Sequence, residues 1–134
     1  MTVPFWSLLV ILVIPYLLFF YTMRCRAQQL GEIENHYPRI QYTLLDGIGA
    51  RACGAQKNAW EAAIMFTAAV MVAHLGGADP QLSSILAVTF VALRILHALF
   101  YLADKPALRT LVFVSGTVCA VALFLLPAFS NNSL

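Results

Sequence analysis

Residues 3–23 read VPFWSLLVILVIPYLLFFYTM, an apolar run without a charged side chain. A helix needs about 20 such residues to cross the hydrocarbon core of a bilayer. Trp6 and Tyr21 lie near the two ends of the run, where amphipathic rings favour the membrane interface. Because Arg24 and Arg26 follow the run and no basic residue precedes it, we expect a retained span rather than a cleaved signal peptide.

The rest of the chain has the same apolar character. Of its 134 residues, 61% are hydrophobic and only 10% are charged, and the mean hydropathy is +0.81. Soluble domains are usually about 25% charged. Three further apolar runs, separated by polar breaks, predict spans at residues 50–75, 81–103 and 106–129. We therefore predict an all-α fold, a four-transmembrane-helix bundle in which residues 1–134 form one domain.

The charges predict the orientation of the chain in the membrane. A formal net charge of +2 is too small to indicate a nucleic-acid partner. Lys and Arg residues cluster around the first and third loops and are missing from the second, so the positive-inside rule places loops one and three in the cytoplasm. We expect a multi-pass protein of the bacterial inner membrane, although the same bias also fits the endoplasmic reticulum. Residues 131–133, Asn-Asn-Ser, match an N-glycosylation sequon.

Neither the cysteines nor the histidines form a metal-binding pattern. Cys25, Cys53 and Cys119 are odd in number and widely spaced, so we interpret them as free thiols. The three histidines lie on different segments. We therefore expect no metal site.

Polar and ionisable side chains interrupt the second and third predicted spans. An ionisable residue at the centre of a membrane helix costs roughly 2.5–3.5 kcal/mol on insertion scales, so such residues usually face a polar cavity or the protein interior and mark a functional site. At about 100° per residue, those of each span fall on one helix face. The second span carries Arg51, Asn58 and Glu61, and the third carries Arg94, His97 and Tyr101.

Arg109 and Thr110 lie one turn into the fourth predicted helix. The start of a helix carries a partial positive charge and unpaired N–H donors, so an anion such as a thiolate held beside Arg109 would be stabilised twice. Thr110 could add a hydroxyl hydrogen bond. Together with the two polar helix faces, these residues suit a small zwitterionic ligand that carries several charges.

These residues also have purely structural interpretations. Arg51 and Arg109 lie near helix ends and could extend to the membrane interface without binding a ligand. Glu61 and Arg94 could form a buried ion pair between the second and third helices. The imidazole and phenol groups of the third helix could be satisfied polar groups of the core.

Three segments carry a resemblance to a known family: RACGAQKNAWE at residues 51–61, RILHALFY at residues 94–101 and LRT at residues 108–110. In this order and spacing, with NHYPR at residues 35–39 before them, they resemble the MAPEG family, the membrane-associated proteins in eicosanoid and glutathione metabolism. The resemblance covers nearly the whole chain. It implies a four-helix protomer that assembles as a homotrimer, with glutathione bound between neighbouring subunits and a lipophilic small-molecule substrate that arrives from the membrane lipids.

The resemblance also implies roles for the polar residues. Arg109, with Thr110 beside it, would be catalytic by stabilising a glutathione thiolate that attacks a lipophilic electrophile or a lipid hydroperoxide. Arg24 or Arg26 would reach a ligand held by a neighbouring subunit. The residues implied to bind glutathione are Arg51, Asn58, Glu61, Arg94, His97 and Tyr101.

Two positions depart from the pattern of glutathione-using members. Gly54 replaces an arginine that is common in the second-helix motif, and Phe113 stands where some members have a tyrosine. The sequence is therefore consistent with three functions on the same fold: a transferase, a peroxidase, and a non-catalytic lipid-binding or scaffold protein. A small transporter subunit is a further interpretation, but it would need a charged path to both membrane faces that the fourth helix and second loop do not offer.

Overall fold

The computed structural model describes residues 1–130, so the sequon at residues 131–133 lies outside them. The elements, in chain order, are α1 (Val3–Leu30), α2 (Pro38–Thr43), α3 (Gly47–Leu75), α4 (Pro80–Leu102) and α5 (Pro106–Ser130). The described residues form helices and no strand, and α1, α3, α4 and α5 are each long and apolar enough to cross a membrane. The predicted all-α fold with four membrane-length helices is confirmed.

The local sequence explains where several helices begin and end. Pro80 and Pro106 are the first residues of α4 and α5, where a missing N–H breaks no helical hydrogen bond. The Asp79 carboxylate accepts a hydrogen bond of 2.7 Å from the Leu82 N–H and so caps α4. Gly31 ends α1 with a φ of 79°, a left-handed conformation that favours glycine.

Two helices extend beyond the predicted spans. α1 continues to Leu30 rather than ending at residue 23, and α3 begins at Gly47 rather than at residue 50. Hydropathy marks where a chain leaves the hydrocarbon, whereas a helix continues until a residue such as Gly31 stops it. The six-residue α2 is absent from the prediction, because a single polar turn that starts at a proline has no apolar periodicity.

Like α4, α3 packs against all three other membrane-length helices. Its buried positions are mostly alanines, and small side chains let helix backbones approach closely. Deep in the core, the rings of Phe66 in α3 and Phe90 in α4 stack with centroids 4.4 Å apart.

The short connections make α3, α4 and α5 antiparallel neighbours. The start of α3, the end of α4 and the start of α5 therefore lie together. We call this the loop end, because it also carries α2 and the long connection between α1 and α3. The opposite end carries the start of α1, the end of α3 and the start of α4.

A hydrogen-bond network holds the connection between α1 and α3. Arg26 is only 2% exposed, and its guanidinium donates to the Gln41 side-chain oxygen at 3.0 Å and to the Glu34 carbonyl at 2.8 Å. Gln41 in turn donates to the Glu32 carbonyl at 3.1 Å. Arg26 therefore stabilises this loop, whereas Arg24 is exposed.

Candidate functional site

Tyr101, in the last turn of α4, joins three helices at the loop end. Its ring lies against the guanidinium of Arg109 in α5, with Arg109 Cζ 4.3 Å from the ring centroid. It also meets the His97 ring, one turn earlier, edge to face at a centroid distance of 5.7 Å. On the α3 side, the Tyr101 hydroxyl packs directly against Gly54. The Tyr101 side chain thus contacts Gly54 of α3, His97 of α4 and Arg109 of α5.

Gly54 is required by this packing. A Cβ atom at position 54 would lie 2.8 Å from Tyr101 Cζ and still closer to the hydroxyl oxygen, which is nearer than real Cβ atoms come to their neighbours. The family resemblance leads us to expect an arginine at position 54. In this chain the position is glycine, which leaves room for the Tyr101 side chain. Tyrosine occupies the space that a larger residue at position 54 would need.

Arg94 links α4 to α3 through Asn58. Arg94 is only 4% exposed, and its Nη2 donates to the side-chain oxygen of Asn58 and, at 3.3 Å, to the Asn58 backbone carbonyl. The alternative of a buried ion pair between Arg94 and Glu61 is wrong, because the two are not within ion-pair distance.

Glu61 lies at the middle of the 29-residue α3, and its side chain is exposed on the surface of the protomer. Within residues 1–130 it forms no hydrogen bond and no ion pair. A charged group at the centre of a membrane-spanning helix is costly unless it is paired. The fold of residues 1–130 therefore leaves this carboxylate unpaired at the middle of α3.

Arg51 stabilises the connection between α4 and α5. Its Nε donates to the Leu102 carbonyl at 3.2 Å, and its Nη1 lies 3.9 Å from the Asp104 carboxylate. This is the one ion pair within residues 1–130. The contact places a cation at the negative end of the α4 dipole, which favours the helix.

Thr110 is exposed on α5, and its hydroxyl donates to the Pro106 carbonyl at 2.9 Å. The hydroxyl oxygen can still accept a hydrogen bond, but its proton is used within its own helix. His97 is buried beside Phe113, with ring centroids 6.1 Å apart. Phenylalanine therefore presents no hydrogen-bonding group to the imidazole at this position.

The predicted site residues fall into two groups. Those that form contacts between helices at or near the loop end are Asn58, Arg94, Tyr101 and Arg109, with His97 joined to them through Tyr101. The others stand apart from this set: Arg51 bonds separately to the Leu102 carbonyl at the end of α4, and Glu61 and Thr110 form no hydrogen bond or ion pair to another helix. Only one feature of the sequence indicated the tight fit between Gly54 and Tyr101, namely a glycine on the polar face of the second span.

Within residues 1–130, no group of His, Cys, Asp or Glu side chains is placed to hold a metal ion.

Comparison with known proteins agrees with the resemblance in the sequence. The model of the MAPEG family matches residues 3–129, which span all four membrane-length helices. No curated protein and no solved structure shows significant similarity to the chain. The four apolar helices and the family match together identify an integral, multi-pass membrane protein. The chain belongs to the MAPEG family, a family of membrane proteins associated in general with glutathione and with transferase or peroxidase chemistry.

Proposed function

We propose that the protein is a glutathione-dependent membrane transferase or peroxidase that acts on lipophilic electrophiles or lipid hydroperoxides. The observation that carries the proposal is the position of Arg109. Its guanidinium lies near the start of α5, is held against Tyr101, and has no carboxylate within 4.0 Å among residues 1–130. A cation that no internal acid neutralises can stabilise an external anion.

The start of α5 adds to the effect of Arg109. Partial positive charge at a helix start favours a thiolate over a thiol, as a nearby guanidinium does. When bound, glutathione supplies the sulfur nucleophile for a carbon electrophile or for a peroxide oxygen. Arg109 would hold the negative charge of that sulfur, and the exposed hydroxyl oxygen of Thr110 lies beside it on α5.

The charges of the protomer fit the rest of glutathione, which carries an ammonium group and two carboxylates. The Glu61 carboxylate has no partner within residues 1–130 and can pair with the ammonium group. Cations that are exposed at the loop end can pair with the carboxylates. Apart from Lys105, which lies in the connection between α4 and α5, they are Arg24, Arg39 and Lys57.

The proposed site lies between protomers of a homotrimer. Within one protomer, Glu61 forms no hydrogen bond or ion pair with Arg109 or Tyr101. A ligand that uses both Glu61 and Arg109 is therefore best held where two protomers meet, as the family resemblance implies. In this proposal, Asn58, Arg94, His97 and Tyr101 form the wall of the site, and Arg51 fixes the connection between α4 and α5 beside it.

A non-catalytic lipid-binding function on the same fold is the second candidate. Tyr101 fills the space over Gly54, at the position where glutathione-using members commonly have an arginine. Phe113 offers His97 an apolar ring where some members have a tyrosine. Both differences remove polar groups that could contact glutathione. A failure of the protein to bind glutathione would favour the lipid-binding function.

Calorimetric titration of the detergent-solubilised protein with glutathione tests the proposal, together with the ultraviolet absorbance of the bound thiolate. Arg109→Ala should abolish the thiolate signal, because it removes the cation that stabilises the sulfur anion. Lys105→Ala is the matched control, since it removes an exposed cation from the connection between α4 and α5 and should leave the signal unchanged. If the folded native protein binds no glutathione at millimolar concentration, the proposal is wrong and the lipid-binding function replaces it.

A further inference from the structure

We propose that the opposite end of the protein binds the carboxylate of a single-chain lipid, a long-chain fatty acid, in a cavity of its own. The cavity has a volume of about 290 Å³ and lies between the start of α1, the end of α3 and the start of α4. Pockets for small ligands begin at about 300 Å³. The residues that form its walls include Thr2, Phe5, Val70, His74, Ser83 and Ser84.

The cavity is separate from the candidate glutathione site. His74 and Asn58 are sixteen residues apart on α3, which corresponds to a rise of about 24 Å along the helix. The two sites therefore lie toward opposite ends of the bundle. The inference does not depend on the proposed function.

Ser83 is the residue that points to a ligand. Its side chain is only 7% exposed, and its hydroxyl forms no hydrogen bond with the residues that the structure describes. Several other hydroxyls of the bundle donate to a carbonyl one turn earlier, as Ser84 does to the Pro80 carbonyl at 2.7 Å, whereas the buried Ser7 of α1, like Ser83, does not. No buried side-chain N or O atom within residues 1–130 lacks a hydrogen-bond partner, so the unbonded Ser83 hydroxyl oxygen is not enclosed by protein and is open to the cavity. Because Ser83 lines the cavity, a ligand inside it can accept this hydrogen bond.

The neighbours of Ser83 favour an acceptor that carries negative charge. His74 lines the cavity with its ring packed edge to face against Phe5, at a centroid distance of 4.9 Å, and an imidazole N–H can donate. The first turn of α4, which carries Pro80 and Ser83, adds the partial positive charge of a helix start, part of which is already offset by the Asp79 carboxylate that caps the helix. Among the described residues, no Asp or Glu lines the cavity to repel an anion.

The other walls favour a hydrocarbon chain. Phe5, Val70 and Ala73 form an apolar side of the cavity, and Val70 and Ala73 belong to the buried core of the bundle. The polar side lies near the ends of membrane-length helices, where lipid head groups are found. A carboxylate at Ser83 and His74 with one acyl chain along the apolar wall satisfies both sides. A cavity of this size suits one chain better than two.

The probe for this site is palmitate labelled with ¹³C at the carboxyl carbon, added to the full-length protein in detergent. We expect saturable binding, one palmitate per protomer, detected as a shifted carboxyl resonance and as a mass increment in native mass spectrometry. Ser83→Ala should weaken the binding about 10-fold, because it removes a hydrogen bond to a charged group. His74→Gln keeps a donor at a similar place without the imidazole and should weaken the binding less than His74→Ala.

Two controls separate this site from general partition of lipid into detergent. Ser115→Ala removes a hydroxyl that already donates to the Leu111 carbonyl at 2.9 Å, and it should bind palmitate like the native protein. Hexadecanol has the same chain length without a carboxylate and should bind more weakly than palmitate. Equal binding of both lipids, or palmitate binding that neither Ser83→Ala nor His74→Ala changes, would overturn the proposal.

Discussion

Arg109 and Tyr101 form a cation–π contact, with the guanidinium carbon 4.3 Å from the ring centroid. An arginine near a helix end can extend freely to the membrane interface, but the Tyr101 ring holds this one toward the bundle. The same ring contacts His97 and packs against Gly54. Because Tyr101 touches groups from all three helices, we expect the chemistry of Arg109 to depend on the tyrosine ring.

Replacing Tyr101 tests this dependence. Tyr101→Phe keeps the aromatic face and should leave the thiolate absorbance close to that of the native protein. Tyr101→Leu removes the face, and a cation–π contact is worth about 0.5–2 kcal/mol, so kcat/KM for a lipophilic electrophile should fall about 2- to 30-fold. The thiolate absorbance with bound glutathione and kcat/KM measure both effects. If Tyr101→Phe is as harmful as Tyr101→Leu, the hydroxyl and not the ring is the important group.

Gly54→Ala should disturb the same contact from the α3 side. The added methyl would overlap Tyr101, and overpacking of this kind costs about 1–3 kcal/mol. We expect a lower midpoint of thermal unfolding in detergent and a smaller penalty in a Tyr101→Leu background, as a double-mutant cycle measures. Gly116→Ala is the matched control, because its new Cβ would find its nearest neighbours at 3.8 Å and should not lower the midpoint. Equal effects of the two glycine substitutions would contradict the packing argument.

The four spans were predictable because the thickness of a bilayer sets the length of an apolar helix. The end of α1 was not, since residues 24–30 are largely polar yet contain neither glycine nor proline, and α1 continues through them to Leu30. The hydrogen bonds by which Arg26 holds the loop could not be predicted from the sequence either. Its partners, Gln41 and the Glu34 carbonyl, lie in a loop whose path is determined by tertiary contacts.

Helical spacing predicted which polar residues share a face of α3 or of α4. It could not predict which residue of one face meets which residue of the other, because that depends on the rotation and offset of two packed helices. Arg94 therefore has Asn58 as its partner, although Glu61 carries the opposite charge. Glu61 is left on the exposed surface of the protomer, without an ion-pair partner among residues 1–130.

Asn58→Ala should destabilise the bundle, because it takes the side-chain acceptor away from the buried Arg94. A hydrogen bond to a charged group is worth about 1.5–3 kcal/mol. The midpoint of unfolding should fall, and Asn58→Ala combined with Arg94→Met should recover part of the loss, since no unpaired charge is then buried. Gln56→Ala, which removes another amide from α3, is the control and should have a small effect. An unchanged midpoint in Asn58→Ala would show that Arg94 finds another acceptor.

Gln41→Leu should loosen the connection between α1 and α3, because the buried guanidinium of Arg26 then loses its side-chain acceptor. Local opening exposes backbone to proteases, so a glutamate-specific protease should cleave after Glu32 and Glu34 about 10-fold faster or more, in line with the loss of a charge-assisted hydrogen bond. Gln28→Ala changes an exposed amide on α1 and should cleave at the native rate. Equal rates for all three proteins would mean that the network does not hold the loop.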